Sequence, residues 1–248
     1  MNFTRTLMVA SALGAALVAA AASAAPITYS LTGGTNSSGT YGNVRGFTAA
    51  GGPALSATAW SNTYNSTNTA IENAYLSQYS GGLGVCNRDE GVCPDSPNHA
   101  VDNSGNTDSV LFSFASDVNL ASVGLGWISG DADFSVLYYN GVGAPTLAGS
   151  TYPGLLDPTK WILLASYNVN SAVVTNVGDG TKFSQYWLIT GYRSGWGIEL
   201  DQGDDYFKIK TLSVNVPGTT TTTTVPEPTT LGLLGLGLLG LGFSRRRK

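Results

Sequence analysis

The chain is short of the residues that most often carry chemistry. Its 248 residues include two cysteines, two methionines and one histidine, and only 11% are charged. Two cysteines cannot build a disulfide-dense small scaffold, and so little charge argues against a coiled coil. Lys and Arg number 12 against 16 Asp and Glu, a net charge of −4. That balance excludes a nucleic-acid partner, because phosphate neutralisation needs clustered cations in excess. His99 would have to serve any histidine-dependent triad, and no G-x-S-x-G elbow accompanies it. Its neutral reading is an exposed histidine in a turn. No catalytic residue is assigned, and the chain is read as a non-enzyme.

Two long apolar runs lie at the ends. Arg5, the run Leu7 to Ala22 and the small-residue site Ala22-Ser23-Ala24 read as a secretory signal peptide over residues 1–24. Signal peptidase is the implied partner, and an N-terminal anchor is the alternative. At the other end, Pro226-Glu227-Pro228 precedes an apolar run from Leu231 to Phe243, which Arg245, Arg246, Arg247 and Lys248 close. Thirteen residues give roughly 20 Å of helix, short for a hydrocarbon core of about 30 Å. The cations would hold that end in the cytoplasm and leave the rest of the chain outside. Gly235, Gly237 and Gly240 satisfy G-x-G-x-x-G, but no βαβ unit surrounds them, so a phosphate cradle cannot form.

Motif, helix and cation cluster together resemble the PEP-CTERM sorting signal of Gram-negative bacteria over about the last two dozen residues. The resemblance implies an exosortase that cuts near Pro226-Glu227-Pro228 and releases or transfers the ectodomain. It also implies transient membrane insertion through the C-terminal helix, an inner-membrane intermediate, and then the cell surface or secretion. Such proteins usually accompany exopolysaccharide and biofilm. An ordinary C-terminal anchor is the alternative.

Between the ends the chain divides into an ectodomain over 25–217, a threonine-rich linker over 218–224 and the sorting segment over 225–248. Residues 25–224 hold seven Lys/Arg and fifteen Asp/Glu, a net −8 that the whole-chain value conceals. Val110, Phe112 and Phe114 alternate with Leu111, Ser113 and Ala115. Phe134, Val136 and Tyr138 form a second period-two set, and Tyr186 to Ile189 is a short apolar run. Strands separated by Gly, Asn, Asp and Ser clusters point to an all-β fold, a single β-sandwich or jelly-roll-like domain. Phe207 and Ile209 share one parity and Leu212, Val214 and Val216 the other, which predicts a β-bulge near Lys210-Thr211. Only Asn68 to Ser80 has a helical case.

Cys86 and Cys93 sit seven positions apart in an exported chain, and a small disulfide loop is expected. Asp102, Ser104, Asn106 and Asp108 alternate as the ligands of a calcium loop do. Gly105 stands at the fourth position and Ser113 where the bidentate Glu should be, which rejects an EF-hand. A sandwich-rim calcium site completed by Asp131 and Asp133, or by Asp204 and Asp205, is the candidate, and calcium is the one cofactor suggested. Ordinary turn chemistry before Val110 is the alternative. Trp60, Trp127, Trp161, Trp187 and Trp196 could stack on sugars, but aromatics in strands more often pack the core.

Gly81 to Val85, His99 to Asn103, Asp108 to Phe114, Gly130 to Asp133 and Asp204 to Ile209 resemble a family of exosortase-dependent bacterial surface proteins. That resemblance implies no catalytic activity. The expected role is structural or adhesive, in an extracellular polysaccharide layer. A calcium-dependent carbohydrate-binding module is the alternative, and a secreted glycan hydrolase the third reading.

Overall fold

Short alternating segments, rich in β-branched and aromatic residues and broken by glycine, build thirteen strands among the described residues. The computed structural model describes residues 25–33, 40–63, 67, 69–90, 96–97 and 99–218. The expected signal peptide, the threonines of the linker, the sorting segment and Cys93 lie outside the described residues. The first strands are β1 (Ile27–Ser30), β2 (Arg45–Phe47), β3 (Leu55–Ser61), β4 (Glu72–Asn73), β5 (Tyr75–Tyr79) and β6 (Gly82–Cys86). They are followed by β7 (Val101–Asp102), β8 (Asp108–Ile128) and β9 (Phe134–Tyr139). A one-turn helix, α1 (Tyr152–Leu155), precedes β10 (Trp161–Tyr167), β11 (Val174–Asn176), β12 (Ser184–Gly191) and β13 (Tyr206–Asn215).

The 21-residue β8 organises everything else. Straight, it would reach about 70 Å, far longer than a domain of this size. It turns a corner where Ala115, Ser116 and Asp117 are exposed, passing from one layer into the other as strands do in orthogonal packings. Its first half pairs with β3 and β12, and β12 continues through β9 to β10. Its second half pairs with β13 and β11, and β13 also carries β1, β6 and β7. One hydrogen-bonded sheet of thirteen strands therefore supplies both layers.

The core lies between those layers. Val110, Phe112, Trp187 and Ile189 from one meet Leu120, Val123, Phe207 and Leu212 from the other in a single buried cluster. Ring contacts bridge them directly: Tyr29 to Phe114 at 5.7 Å and Phe134 to Phe207 at 5.8 Å between centroids. Each such side chain, fully buried, contributes about 1.5–3 kcal/mol. The opposite face of the first layer presents Leu111, Leu137 and Leu188, which α1 and the loop before it cover through Leu147, Tyr152 and Leu155, and the β12–β13 loop through Trp196.

The all-β reading holds, and so does the bulge: the β13 register slips between Ile209 and Thr211. The helix considered over Asn68 to Ser80 does not form in its described residues, 69–80. That stretch makes β4 and β5, with Leu76 fully buried in the main core; tertiary pairing overrides a weak local preference. Among the described residues no helix is long and apolar enough to cross a membrane.

Candidate functional site

The loop Asp102, Ser104, Asn106 and Asp108 is not completed by either expected pair, Asp131 with Asp133 or Asp204 with Asp205: the fold divides these residues. Glu90, Asp102 and Asp108 form one cluster, and Asp131, Asp133 and Asp205 another. In each, carboxylate oxygens of the three residues lie within 4.8 Å of one another. Ser104 and Asp204 join neither. Both are exposed, and each contributes only main-chain atoms: Ser104 N donates to Asp102 Oδ1 (3.0 Å) and the Asp204 carbonyl accepts from Asp131 N (3.3 Å).

The first cluster gathers the loop after β6, the end of β7 and the start of β8. Residues 103–107 are turn rather than strand, so Asp102 and Asp108 converge instead of lining one face. Asp102 and Asp108 are buried, and Glu90 half-buried. Asn87 ties the group together: its main-chain N donates to Glu90 Oε2 (3.0 Å) and its Nδ2 to Asp108 Oδ1 (3.2 Å). Asp102 Oδ2, Asp108 Oδ2 and the amide oxygen of buried Asn106 have no hydrogen-bond partner. Neither ion pair among the described residues, Arg88–Glu72 and Lys160–Asp157, reaches the cluster. Arg193 spends Nη1 on Thr107 Oγ1 (2.6 Å). Burial, and then repulsion from cluster neighbours, push Asp108 well above the carboxylate range and Asp102 to about 8; burial, with repulsion from Asp89, raises Glu90 to about 7 against the lowering hydrogen bond from Asn87 N.

The second cluster is bound up by donors. Asp205 Oδ1 accepts from Asp133 N (2.6 Å), and Oδ2 accepts from Asn103 Nδ2. Asp133 Oδ1 accepts from Val169 N (2.9 Å), and Asp131 Oδ1 from Ala132 N (2.8 Å). Of its buried oxygens, only Asp133 Oδ2 is left over. Burial raises Asp205 to about 7 and Asp133 to about 6. Asn103 links the two groups, since it follows Asp102 directly and bonds Asp205. Gly191 permits that approach: a Cβ there would stand 2.8 Å from the Asp102 carbonyl group.

A separate groove of about 370 Å³ opens between the β5–β6 turn and the ends of β8 and β13, lined by Tyr79, His99, Trp127 and Lys208. Lys208 Nζ stands 3.7 Å from the Trp127 ring centroid, 4.8 Å from that of Tyr79 and 3.1 Å from His99 Nδ1. An ammonium donating to Nδ1 requires that nitrogen to accept. Burial lowers Lys208 to about 8. His99 is therefore not the exposed turn residue expected: its ring sits 4.6 Å from that of Tyr79, centroid to centroid, and is half-buried. Its signal was on the partner strand, where Lys208 stands between core residues Phe207 and Ile209 and so faces away from the core. Trp161, Trp187 and Trp196 are buried, while Trp60 and Trp127 are only partly so. Cys86 is buried at the end of β6 and is not a free thiol; Cys93, expected to close its loop, lies outside the described residues.

The PEP-CTERM protein-sorting motif matches residues 224–248. Pro226, Glu227, Pro228, Arg245, Arg246 and Arg247 all fall within it, and the chain is accordingly an exported protein sorted by exosortase to the cell envelope. No curated protein matches the chain.

Proposed function

We propose that the protein is a structural or adhesive component of an extracellular polysaccharide layer, displayed or released at the surface of a Gram-negative cell after passing through an inner-membrane intermediate. The C-terminal sorting motif carries this reading. The acidic, two-layered body fits it, because such a surface stays soluble and draws cations rather than nucleic acid or anionic lipid. Replacing Pro226, Glu227 and Pro228 by alanine should leave the full-length form in the inner membrane, measured by fractionation and immunoblot. Normal release would refute the sorting step. Deleting the gene should reduce polysaccharide retained at the cell surface, and unchanged retention would refute the matrix role.

A second reading, a carbohydrate-binding module, is favoured by the groove at Trp127. Its aromatic walls and desolvated ammonium suit a sugar ring bearing an acidic substituent. Trp127→Ala should then abolish retention on acidic polysaccharide in affinity electrophoresis. The hydrolase reading finds less support, because neither that groove nor the one beside Asp117 carries two carboxylates.

A further inference from the structure

The first acidic cluster differs from an ordinary buried hydrogen-bond network in what it leaves unmade. Two carboxylate oxygens and one amide oxygen, on residues 1%, 0% and 8% exposed, have no partner. Each unpartnered buried oxygen is costly, and unpaired buried charge more so. A neutral network would place donors there, as the second cluster does for its buried carboxylate oxygens other than Asp133 Oδ2. Here the nearby Ser61 hydroxyl donates to the Thr107 carbonyl (3.3 Å) and only leans on Asp108, and no Lys or Arg ion pair among the described residues compensates the three carboxylates. What the arrangement lacks is positive charge without a side chain.

We propose that Glu90, Asp102, Asp108 and the amide oxygen of Asn106 hold a divalent cation, calcium by donor chemistry, which clamps the loop after β6 to β7 and to the start of β8. All four donors are oxygens, and the set contains no nitrogen or sulfur that would favour zinc or copper. Calcium takes oxygens at about 2.3–2.6 Å, so two donors on one ion stand no more than about 5.2 Å apart. Carboxylate oxygens within 4.8 Å of one another fit inside that shell. The ion supplies the charge that burial otherwise makes unfavourable. Asn87 then acts as a positioning residue, orienting Glu90 and Asp108 from one side. The site belongs to the folded body and stands whether or not the matrix role does.

The test is a thermal melt of the purified full chain, stripped with EGTA, at pH 7.5 with and without calcium, together with terbium luminescence excited through the aromatic rings. At about a hundredfold excess over Kd, calcium raises the midpoint by about 5–10 °C. Asp108→Asn and Glu90→Gln lose the shift and the terbium signal, while Asp133→Asn keeps both. Should Asp108→Asn fail to fold, Glu90→Gln decides, because Glu90 is only half-buried and lies on a loop. No shift in the wild type, a shift retained by Glu90→Gln, or a shift lost in Asp133→Asn overturns the assignment.

Discussion

Two triads of carboxylates sit on either side of Asn103, alike in composition and opposite in construction. Around Asp205 the carboxylates accept from main-chain amides of Ala132, Asp133 and Val169 and from the Asn103 side chain. Negative charge there organises backbone. Around Asp108 the carboxylates converge with oxygens to spare. Acidic residues at equal proximity thus do different work according to where the donors are, and counting carboxylates would not tell the two apart.

The largest effect that separates them is loss of a side chain from the donor-bound group. Asp205→Ala leaves Asp133 N buried without an acceptor and Asn103 Nδ2 with the Tyr192 carbonyl (3.0 Å) alone, and the cost should be about 3–5 kcal/mol in urea unfolding. Asp108→Asn, measured without calcium, should cost far less, since burial already holds the Asp108 carboxyl in its neutral form and the amide keeps an acceptor for Asn87. Equal losses in the two variants would erase the distinction. Next in size is protection by calcium. About 2.7 kcal/mol at a hundredfold excess over Kd should slow amide exchange at Asn87 to Glu90 and Asp102 to Asp108, and leave Ala132 and Asp133 unchanged.

How far the sequence showed this depends on the range of each interaction. The alternation of Val110, Phe112 and Phe114 and the parity slip at Lys210 are local, and both appear as read. The corner of β8 was not visible, because Ala115 to Asp117 look like any polar interruption. Asp102 and Asp108 were found by spacing, although for an imperfect reason: alternation suggested a shared face, whereas a turn brings them together. Glu90 was missed because it arrives from a loop whose approach depends on β6 pairing with β13. Asp131 and Asp205 meet through a parallel bridge between positions 74 residues apart, which no local pattern encodes. Lys208 is the residue whose signal was present and unread.

A smaller effect sharpens the comparison from the loop side. If Cys86 and Cys93 are joined, the bridge encloses Asn87 and Glu90 and holds both near the first cluster only. Cys93→Ser should then cost about 2–3 kcal/mol and weaken calcium binding, with no change in exchange at Asp133. Thiol titration of the unfolded, unreduced wild type should detect no free thiol; two thiols would remove the bridge from the account.

The smallest effect sets both carboxylate groups against a desolvated cation. Lys208 titrates at about 8 folded, lowered by burial, against an ordinary 10.5 unfolded. Between those values the unfolded chain binds the additional proton, so stability should climb as pH rises through the window, and below pH 8 the penalty stands in full. The groups lining the groove are the rings of Tyr79, His99 and Trp127, none of which offers a carboxylate to offset it. Lys208→Met should flatten the difference in urea midpoint between pH 8 and 10.5. An identical slope in the variant would mean that the ammonium is already compensated, and that the molecule leaves charge unpaired only in its anionic cluster.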